Sequence, residues 1–481
     1  MRDSRVPQCV YDTVVSWGQS HIFQYLDKCS DSEVSEFVEQ IRSVDFPRVK
    51  ALLARARESS VEENVFSPPL SSEICSLNLR TADDESTWWQ LGMDAISRGE
   101  VAVTILAGGQ GTRMGLAPDE SKGMLCLGGL VSGKYVFQLF IERLLKLAAS
   151  SGKVVPLVIM TSPINNAKVS QFLKLHNFFH YPESCVYVFS QGTLPALTLK
   201  GDLLLEGYAK LAISPDGNGG IYNGLVVSGV FDCLVQRGVK HLHVIAVDNA
   251  IARPADPLFV GACISQKVEI GNKVVWKMNW EEKVGVIAKR NGKTSVVEYS
   301  DLYNLELGIN NALVQEIDPV TGRLLFGAGN ICNHYYSMEG LAKMLPKVTA
   351  NYHLALKKIV SVDLKSGLIT KPTINNGLKL ESFIFDAFEL AESSLIVEAE
   401  RGAEFTPMKN PIGEDSPETA VDQILHSHKI WLERVGATVD GKVEIAPEIS
   451  YSGEGLEKFK GMHLVGPLLI DNAFVQRVPT L

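Results

Sequence analysis

Hydrophobic positions in the first 95 residues follow the spacing of an amphipathic helix. Four of them share one helical face, at intervals of three and four residues: Val34, Phe37, Val38 and Ile41. Ser30 and Glu33 stand just before this face with the spacing of a capping box, so we expect a helix to begin there. We therefore predict a mainly helical N-terminal region over residues 1–95.

Beyond this region, short continuous apolar runs alternate with helical patterns. The runs are VAVTILA (101–107), VVPLVIM (154–160) and HLHVIAV (241–247). Strands that are covered on both faces of a sheet have this composition. A helix is predicted from about Tyr135 to Ser150, and another at Ser162-Pro163, where a cap residue precedes a proline suited to the first helical turn. Strands alternating with helices predict an α/β fold with a doubly wound sheet.

The pattern becomes partly antiparallel after residue 284. VGVIAKR (284–290) and TSVVEYS (294–300) flank Asn291-Gly292, a pair that favours a hairpin turn. A further helix is predicted over about 417–435, and a strand-rich tail punctuated by glycine and proline follows it. The predicted domains are the helical N-terminal region (1–95), a central mixed α/β domain (96–410) and a small strand-rich C-terminal domain (411–481).

Composition and charge exclude some functional classes without identifying one. The chain has 46 basic and 55 acidic residues and a net charge of −9, whereas proteins that bind nucleic acid usually present a basic surface. No stretch approaches the ~18 apolar residues needed to cross a bilayer. We therefore expect neither a nucleic-acid nor a membrane partner. Eight scattered cysteines without a CxxC pair, and an N-terminus without an apolar signal segment, favour reduced thiols and a cytoplasmic location.

The strongest candidate for chemistry is LAGGQGTRMG (106–115), directly after the first buried strand. Its glycines let the backbone approach a ligand and expose N–H groups, and loops at the carboxyl ends of strands bind nucleotides in α/β sheets. Arg113 adds a fixed positive charge suited to phosphate. The dinucleotide pattern GxGxxG fails because Met114 replaces its third glycine. A P-loop over 128–134 fails because Tyr135 stands where Ser or Thr is needed.

These segments resemble a known enzyme family. The loop at 106–115 is similar to the signature of the sugar-nucleotide pyrophosphorylases, and Lys122-Gly123-Met124 to the lysine segment that follows it in eukaryotic UDP-sugar members. Further matching segments follow in order: QGTLPAL (191–197), SPDGNGGIYNGL (214–225), VDN (247–249), VGVI (284–287), VVEYS (296–300), NICNHYY (330–336), ESFIFDAF (381–388) and FTPMKN (405–410). Over about residues 95–410 the chain resembles eukaryotic UDP-N-acetylhexosamine pyrophosphorylases, and PDGNGG discriminates most, since UDP-glucose members have a histidine-containing loop there.

The resemblance implies a Rossmann-like nucleotidyltransferase domain that joins UTP and N-acetylglucosamine 1-phosphate, with Mg²⁺ or Mn²⁺ as cofactor. It implies nucleotide contacts at Leu106, Ala107, Gly108, Gly109, Gly111, Gln191, Gly217, Asn218 and Asp248. It implies sugar contacts at Asn218, Gly285, Glu298, Tyr299, Asn330, Phe383 and Phe385. Arg113, Lys122 and Lys409 resemble a catalytic cationic clamp on the phosphates, and Asp248 resembles the acid near the metal.

Some features leave alternatives open. An acidic stretch, Asp119-Glu120, precedes Lys122, and Phe383 and Phe385 alternate in a way that also fits the core-facing side of a strand. The residues leave three functions open: an enzyme specific for N-acetylglucosamine 1-phosphate, a relaxed UDP-sugar pyrophosphorylase, and a catalytically silent nucleotide-sugar binding protein. They do not choose between a monomer and a homodimer.

Overall fold

The computed structural model describes residues 3–59, 65–77, 79–109, 111–298, 314–349 and 351–478. Contacts between Cα atoms divide the chain into two compact units. Unit 1 consists of Met1–Glu63, Gln191–Asn223 and Pro346–Asp386. Unit 2 consists of Asn64–Ser190, Gly224–Leu345 and Ala387–Leu481. Neither unit is continuous in sequence, and the domain boundaries at residues 95 and 410 stay a prediction.

Helices and strands alternate along most of the described chain. The α-helices are α1 (Gln8–Ser16), α2 (Asp31–Ser43), α3 (Phe46–Ser59), α4 (Ala82–Ser97), α5 (Val136–Ser151), α6 (Asn166–Leu175), α7 (Gly220–Val227), α8 (Val230–Gln236), α9 (Pro257–Gln266), α10 (Met338–Val348), α11 (Arg401–Glu404), α12 (Pro417–Arg434) and α13 (Asn472–Arg477). The strands are β1 (Phe66–Ser67), β2 (Ile74–Ser76), β3 (Val101–Leu106), β4 (Leu157–Thr161), β5 (Val186–Ser190), β6 (Thr193–Pro195), β7 (Leu197–Thr198), β8 (Leu205–Gly207), β9 (Lys210–Leu211), β10 (Ile213–Pro215), β11 (His241–Ala246), β12 (Ile270–Trp276), β13 (Val286–Arg290), β14 (Lys293–Val297), β15 (Ala328–Ser337), β16 (His353–Lys357), β17 (Ser361–Val362), β18 (Ile369–Thr370), β19 (Gly377–Glu381), β20 (Ser394–Glu398), β21 (Thr438–Asp440), β22 (Val443–Ile445), β23 (His463–Val465) and β24 (Leu468–Ile470).

A mixed sheet is the main element of unit 2. Its strands lie in the order β2-β20-β12-β15-β11-β3-β4-β5, and β13, β14 and β1 extend it beside β15. Strands β11, β3, β4 and β5 are parallel, as are β12, β20 and β2, whereas β15 runs antiparallel to both β11 and β12. The predicted α/β class with a mixed central sheet is therefore confirmed.

The apolar runs of the central region form the strands that their composition predicts. Strands β3 and β4 are buried along their whole length, and β11 is buried at its centre. The helix expected near Tyr135–Ser150 is α5, and its apolar side chains join those of β3 and β4 in one hydrophobic core. Asn291 and Gly292 have φ angles of 49° and 80°, as a two-residue turn between β13 and β14 requires. The predicted hairpin is thus confirmed.

The helix expected to begin at Ser162-Pro163 begins later, and that prediction is wrong. Asn165 Oδ1 accepts hydrogen bonds from the Ser162 backbone N–H at 2.8 Å and from its hydroxyl at 3.0 Å. This local turn occupies the residues that a cap at Ser162 would need, so α6 begins only at Asn166. The sequence pattern of a cap residue before proline did not distinguish the two arrangements.

Unit 1 packs helices against short strands. Helix α2 begins behind a capping box of Ser30 and Glu33 and buries the four predicted apolar side chains, so this prediction is confirmed. Apolar side chains of α1, α2 and α3 share a core with side chains from β6, β7, β8, β9 and β19. Strand β19 pairs antiparallel with β16 on one side and with β7 on the other. Strand β19 ends at Glu381, the first residue of the ESFIFDAF segment.

The C-terminal part of unit 2 contains the predicted helix and strand-rich tail. Ser416 caps α12, and Pro417 occupies its first turn. Beyond it, β21 pairs parallel with β23 and β22 with β24, and their apolar side chains form a separate hydrophobic cluster. Within the described ranges, no helix combines the length and the apolar character that crossing a membrane requires.

A buried ion network joins three parts of unit 2. Lys273 on β12 is fully buried, and its Nζ lies 2.6 Å from Asp256 Oδ2 and 3.1 Å from Glu404 Oε2. Arg253 NH1 lies 3.2 Å from Glu404 Oε1. Burial by itself raises the pKa of Asp256, but Lys273 and Arg253 outweigh it and hold that pKa below its usual value. The network therefore connects β12, the residues before α9 and the end of α11.

Replacing the central cation of this network should destabilise the protein strongly. Lys273→Met leaves two buried carboxylates without their shared partner, and we expect the free energy of unfolding to fall by about 3–5 kcal/mol. The measurement is urea denaturation followed by circular dichroism. Lys293→Met, at an exposed hairpin position, is the control and should change stability by less than about 0.5 kcal/mol. Equal effects of the two substitutions would contradict the role of the network.

Candidate functional site

The glycine-rich loop of unit 2 begins at a tightly held residue. The Ala107 N–H donates to the Met160 carbonyl at 2.7 Å, which extends the pairing of β3 with β4 by one residue. The Ala107 carbonyl accepts from Ser121 Oγ at 3.2 Å and from Asn165 Nδ2 at 3.0 Å. Leu106 and Ala107 are both buried. These hydrogen bonds fix the position at which the loop leaves β3 before any ligand binds.

The loop then reaches the surface. Gly108 is buried and Gly109 is exposed, and a Cβ on Gly109 would meet no described atom within 4 Å. A Cβ on Gly111 would lie 2.5 Å from Leu116 Cδ1, so a larger residue there would have to displace the end of the Leu116 side chain. Arg113, in the short 3₁₀ turn Thr112–Met114, is exposed. Its guanidinium forms no hydrogen bond or ion pair within the described part of the chain, which leaves its donors available for an anion.

A lysine–aspartate pair lies at the carboxyl ends of two adjacent parallel strands. Strands β3 and β11 run side by side, with Leu106 opposite Ala246. Asp248 follows β11, and its Oδ2 lies 3.1 Å from Lys122 Nζ, with 29% and 16% of the two side chains exposed. Ser121 caps the turn that carries Lys122 by accepting from the Gly123 N–H at 3.3 Å. The geometry places one positive and one negative group, both partly exposed, at the sheet edge where α/β proteins bind nucleotides.

The segment that carries Lys409 is fastened to the same turn. The Met408 N–H donates to the Asp248 carbonyl at 2.9 Å. Asn249 hydrogen-bonds the backbone of the same segment through both side-chain groups, as donor at 2.7 Å and acceptor at 3.0 Å. Lys409 Nζ lies 3.5 Å from Asp415 Oδ2, so this lysine is also held by a carboxylate. The structure thus brings the Lys409 backbone beside the Asp248 turn.

The two acids before Lys122 share one lysine from α6. Lys168 Nζ lies 3.1 Å from Glu120 Oε1 and 3.1 Å from Asp119 Oδ1. The hydrogen bonds that Lys168 donates to these two carboxylates, the one to Glu120 first, raise the pKa of Lys168. Lys168 therefore offsets one of the two negative charges that precede Lys122, and both carboxylates are turned toward α6.

Three of the predicted sugar contacts form one group in unit 2. The Asn330 N–H donates to the Gly285 carbonyl at 2.8 Å. A Cβ on Gly285 would lie 3.4 Å from Glu298 Oε1, so the carboxylate of Glu298 approaches the bare glycine backbone. The structure therefore brings Gly285, Glu298 and Asn330 together. The remaining predicted contact of this region, Tyr299, lies outside the described residues.

Cys332 lies beside this group, and the sequence analysis did not single it out. The register between β12 and β15 shifts after Lys273, which leaves Cys332 in a bulge with a φ of 51°. Its N–H donates to Asn330 Oδ1 at 3.1 Å. Burial, and then the nearby carboxylates of Asp248 and Glu298, raise the pKa of the Cys332 thiol to about 12. Both carboxylates therefore act on the pKa of one buried thiol. No spacing rule in the sequence predicts such a bulge.

In unit 1, the PDGNGG loop and the ESFIFDAF segment are joined through their backbones. The Asp216 carbonyl accepts from the Ser382 N–H at 2.7 Å and from its hydroxyl at 2.9 Å, and the Gly219 N–H donates to the Ser382 carbonyl at 3.0 Å. Gly217 has a φ of 95°, and a Cβ there would lie 2.3 Å from the Ser382 carbonyl oxygen. The close approach explains why this loop is rich in glycine.

Gln191 and Asn218 belong to the same part of unit 1. Asn218 Oδ1 accepts from the Ile384 N–H at 3.0 Å, which directs the amide group and leaves Nδ2 as its donor. Gln191 is buried, and a Cβ on Gly220 would lie 3.0 Å from the Gln191 Cβ. The predicted nucleotide contacts Gln191 and Gly217 thus lie in the same unit as Asn218, the residue predicted to contact both nucleotide and sugar.

Phe383 and Phe385 also lie here, but not on a strand. Strand β19 ends at Glu381, and a 3₁₀ turn over Ile384–Leu390 follows, so the strand alternative is wrong. The two rings stack with centroids 4.8 Å apart and planes 13° apart. Phe383 is half-buried, whereas only 7% of Phe385 is exposed. Phe383 therefore presents the accessible ring, and Phe385 supports it from behind.

The chain matches a known protein family over most of its length. A family model described as UTP–glucose-1-phosphate uridylyltransferase matches residues 48–415. The chain belongs to this family. A Saccharomyces cerevisiae relative named UDP-N-acetylglucosamine pyrophosphorylase is 37% identical over 465 residues, which cover 92% of this chain and 95% of the relative. A human relative named UDP-N-acetylhexosamine pyrophosphorylase-like protein 1 is 34% identical over 94% of this chain and 95% of its own length.

Solved structures of the uridylyltransferase family agree with this membership. The uridine diphosphate N-acetylglucosamine pyrophosphorylase of Trypanosoma brucei, solved with an inhibitor, aligns with a TM-score of 0.80 at 25% identity. The alignment covers 97% of this chain and 99% of that structure. The resemblance to eukaryotic UDP-N-acetylhexosamine pyrophosphorylases that the sequence motifs predicted is therefore confirmed.

The glycine at the centre of the PDGNGG loop should resist substitution. Gly217→Ala places a methyl group against the Ser382 carbonyl at a positive φ, and we expect a loss of about 1–3 kcal/mol in the free energy of unfolding. Gly207→Ala is the control in unit 1, because its Cβ would meet only Lys210 Cβ at an ordinary 3.4 Å. Urea midpoints of both variants are compared with that of the unchanged chain. A loop that tolerates alanine as well as position 207 does would disprove the steric explanation.

Proposed function

We propose that this chain transfers the uridylyl group of UTP to N-acetylglucosamine 1-phosphate, giving UDP-N-acetylglucosamine and pyrophosphate. The observation that carries the proposal is the Lys122–Asp248 pair at the carboxyl ends of β3 and β11, beside the glycine-rich loop. The name of the S. cerevisiae relative, which is 37% identical over nearly the whole chain, supports the choice of substrates. The reaction is reversible, because it exchanges one phosphoric anhydride for another.

The chemistry requires positioning more than a base. An anionic phosphate oxygen of the sugar 1-phosphate attacks the α-phosphorus of UTP and forms a new P–O bond. The bond between the α-phosphorus and its bridging oxygen breaks, and pyrophosphate leaves with the electron pair. The nucleophile is already charged, so no Ser, Cys or His has to remove a proton. The barrier lies in bringing two polyanions together and in the charge that grows on the leaving group.

The cations of unit 2 suit this task. Arg113 offers a planar, permanently charged group with several donors for phosphate oxygens. Lys122 and Lys409 present ammonium groups whose orientation is set by Asp248 and Asp415. The backbone of Leu106, Ala107, Gly108, Gly109 and Gly111 forms the cradle for the nucleotide. In this proposal, Arg113, Lys122 and Lys409 stabilise the transition state by charge.

A divalent cation fits the chemistry of Asp248. Mg²⁺ prefers carboxylate and phosphate oxygens and is usually held by one or two carboxylates together with substrate phosphates. Within the described residues, no group of three or more His, Cys, Asp or Glu side chains could hold a metal ion by itself. Asp248, with 29% of its side chain exposed, would hold Mg²⁺ or Mn²⁺ jointly with the bound phosphates. The bound ion would neutralise negative charge on those phosphates.

Selection of the substrates is assigned to polar groups and to one aromatic ring. Gln191 and Gly217 read the uracil edge, and Asn218 donates through Nδ2 to the ligand. Gly285, Glu298, Tyr299 and Asn330 bind the sugar, with Glu298 accepting from its hydroxyl groups. Phe383, supported by Phe385, contacts the N-acetyl group. The cytoplasmic location stays a prediction.

The test of this function is pyrophosphate release from UTP and Mg²⁺ with a panel of sugar 1-phosphates. N-acetylglucosamine, N-acetylgalactosamine and glucose 1-phosphates are compared at equal concentrations. Strong preference for an acetylated sugar supports the proposal. Equal use of glucose 1-phosphate would instead identify a relaxed UDP-sugar pyrophosphorylase, and binding of UTP without any turnover would identify a silent binding protein.

Removing the exposed cation of the loop should slow the reaction itself. Arg113→Ala eliminates a preorganised charge that faces the phosphates, and we expect kcat to fall by ~10²–10³. Steady-state kinetics with UTP and N-acetylglucosamine 1-phosphate measure the change. Arg55→Ala, at another exposed arginine on α3, should leave kcat unchanged. A rise in KM with an unchanged kcat would make Arg113 a binding residue only.

The side chain of Asn218 should matter more for the sugar than for UTP. Asn218→Asp keeps the oxygen that accepts from Ile384 but replaces the Nδ2 donor with a second acceptor. We expect KM for N-acetylglucosamine 1-phosphate to rise by ~10-fold or more, the scale for one lost hydrogen bond to a substrate group. KM for UTP should change much less. An equal rise of the two KM values would remove the sugar role from Asn218.

A further inference from the structure

A histidine–carboxylate pair of unit 1 supports the ring of Phe383. His353 begins β16, and its Nε2 lies 2.7 Å from Asp386 Oδ1. An ionised carboxylate only accepts, so Nε2 carries the proton and donates it to this bond. Only 4% of the Asp386 side chain is exposed, against 34% for His353. A buried carboxylate of this kind needs its partners, which makes the pair a firm connection between two segments.

The second oxygen of Asp386 holds the backbone of Phe383. Asp386 Oδ2 accepts from the Phe383 N–H at 2.8 Å. The carboxylate therefore bridges the histidine ring and the main chain that carries the phenylalanine. If the bond to His353 were lost, Asp386 would keep its bond to the Phe383 N–H, but that segment would lose its hydrogen-bonded connection to β16 through the carboxylate.

The histidine ring also contacts the phenylalanine ring directly. The centroids of His353 and Phe383 lie 5.2 Å apart with planes inclined at 37°. Phe385 stacks on Phe383 at 4.8 Å. Phe383 thus contacts one ring from β16 and one from its own segment, and these contacts restrict its side-chain torsions.

The residue before His353 secures the neighbouring loop. Tyr352 OH donates to Asp216 Oδ2 at 3.2 Å, and burial raises the pKa of Asp216. His353 lies opposite Glu381 in the pairing of β16 with β19. Tyr352, just before β16, and His353, its first residue, therefore hold the PDGNGG loop and the Phe383 segment. This arrangement links both ligand-reading segments of unit 1 to a single strand end.

We propose that His353, acting through Asp386, is a positioning residue that sets the Phe383 ring for the acetamido group of the sugar. The inference rests on the proposed function, because it assigns Phe383 to that group. An acetamido methyl group gains only a modest, distance-dependent contact with an aromatic ring. One apolar carbon in a well-shaped pocket changes specificity by roughly 10–200-fold, so a small displacement of the ring removes much of the preference.

The test compares sugar preference in matched variants of the full chain. His353→Leu keeps apolar volume beside Phe383 but cannot donate to Asp386. We expect the ratio of kcat/KM for N-acetylglucosamine 1-phosphate over glucose 1-phosphate to fall by about 10-fold. KM for UTP and turnover of glucose 1-phosphate should stay unchanged. His353→Gln places an amide N–H near the position of Nε2 and should restore most of the ratio.

His463 provides the control, because it pairs with Asp440 at the same 2.7 Å distance in the C-terminal cluster of unit 2. His463→Leu should leave the ratio unchanged. Thermal unfolding is recorded for every variant. If His353→Leu does not fold, His353→Asn, whose shorter amide does not reach Asp386, replaces it.

Two results would overturn the role of His353: an unchanged ratio in the Leu or Asn variant, or an equal loss of kcat/KM for both sugars that glutamine does not restore. Failure of the proposed function is distinguishable in the same assay. An unsubstituted chain that shows no preference for the acetylated sugar would overturn that function, and the role of His353 with it. A preference that persists without His353 overturns the inference alone.

Discussion

The buried ion network around Lys273 constrains the charged part of unit 2. A buried charge that loses its partner costs several kcal/mol, so Lys273, Asp256 and Glu404 stay together as long as the unit is folded. Asp256 lies at the start of α9, shortly after the Asp248 turn, and Glu404 ends α11, shortly before Lys409. The network therefore fixes two segments. One leads to Asp248, the proposed metal ligand, and the other to Lys409, a proposed phosphate contact. Hydrogen bonds from Met408 to the Asp248 carbonyl, and between Asn249 and the backbone of residues 404 and 406, also hold these two segments together.

In unit 1, neutral backbone contacts hold the proposed ligand-binding segments together. The PDGNGG loop and the Ser382 segment lie so close that a Cβ at position 217 cannot fit between them. Hydrogen bonds between the two segments then satisfy the backbone groups that this contact buries. The difference suits the ligand groups assigned to each unit. A polyphosphate is bound by cationic side chains, and carboxylates hold those side chains in position. Uracil and an acetamido group are bound instead by a complementary surface and single hydrogen bonds.

The sequence predicted features that depend on local pattern. Continuous apolar runs identified β3, β4 and β11, because strands buried on both faces admit little else. The start of α6 was predicted wrongly, because the Asn165 side chain accepts a hydrogen bond from the Ser162 N–H. A cap residue before proline does not show whether such a turn forms instead of the first helical turn. Cys332 and the His353–Asp386 pair were beyond prediction. A bulge arises from the register of two strands, and the pair joins residues far apart in sequence.

The ion pairs of Lys122 and Lys409 affect how tightly these lysines bind phosphate in the proposed reaction. Lys122 and Lys409 are each paired with a carboxylate, so Asp248 and Asp415 compete with a phosphate for part of the positive charge of each ammonium group. The competition lowers the affinity for phosphate in the ground state while keeping each ammonium group in place. Arg113 lacks such a partner within the described residues and is exposed. Under the proposed function, the paired lysines provide fixed charges that release pyrophosphate readily, and Arg113 is the cation that engages the substrate most freely.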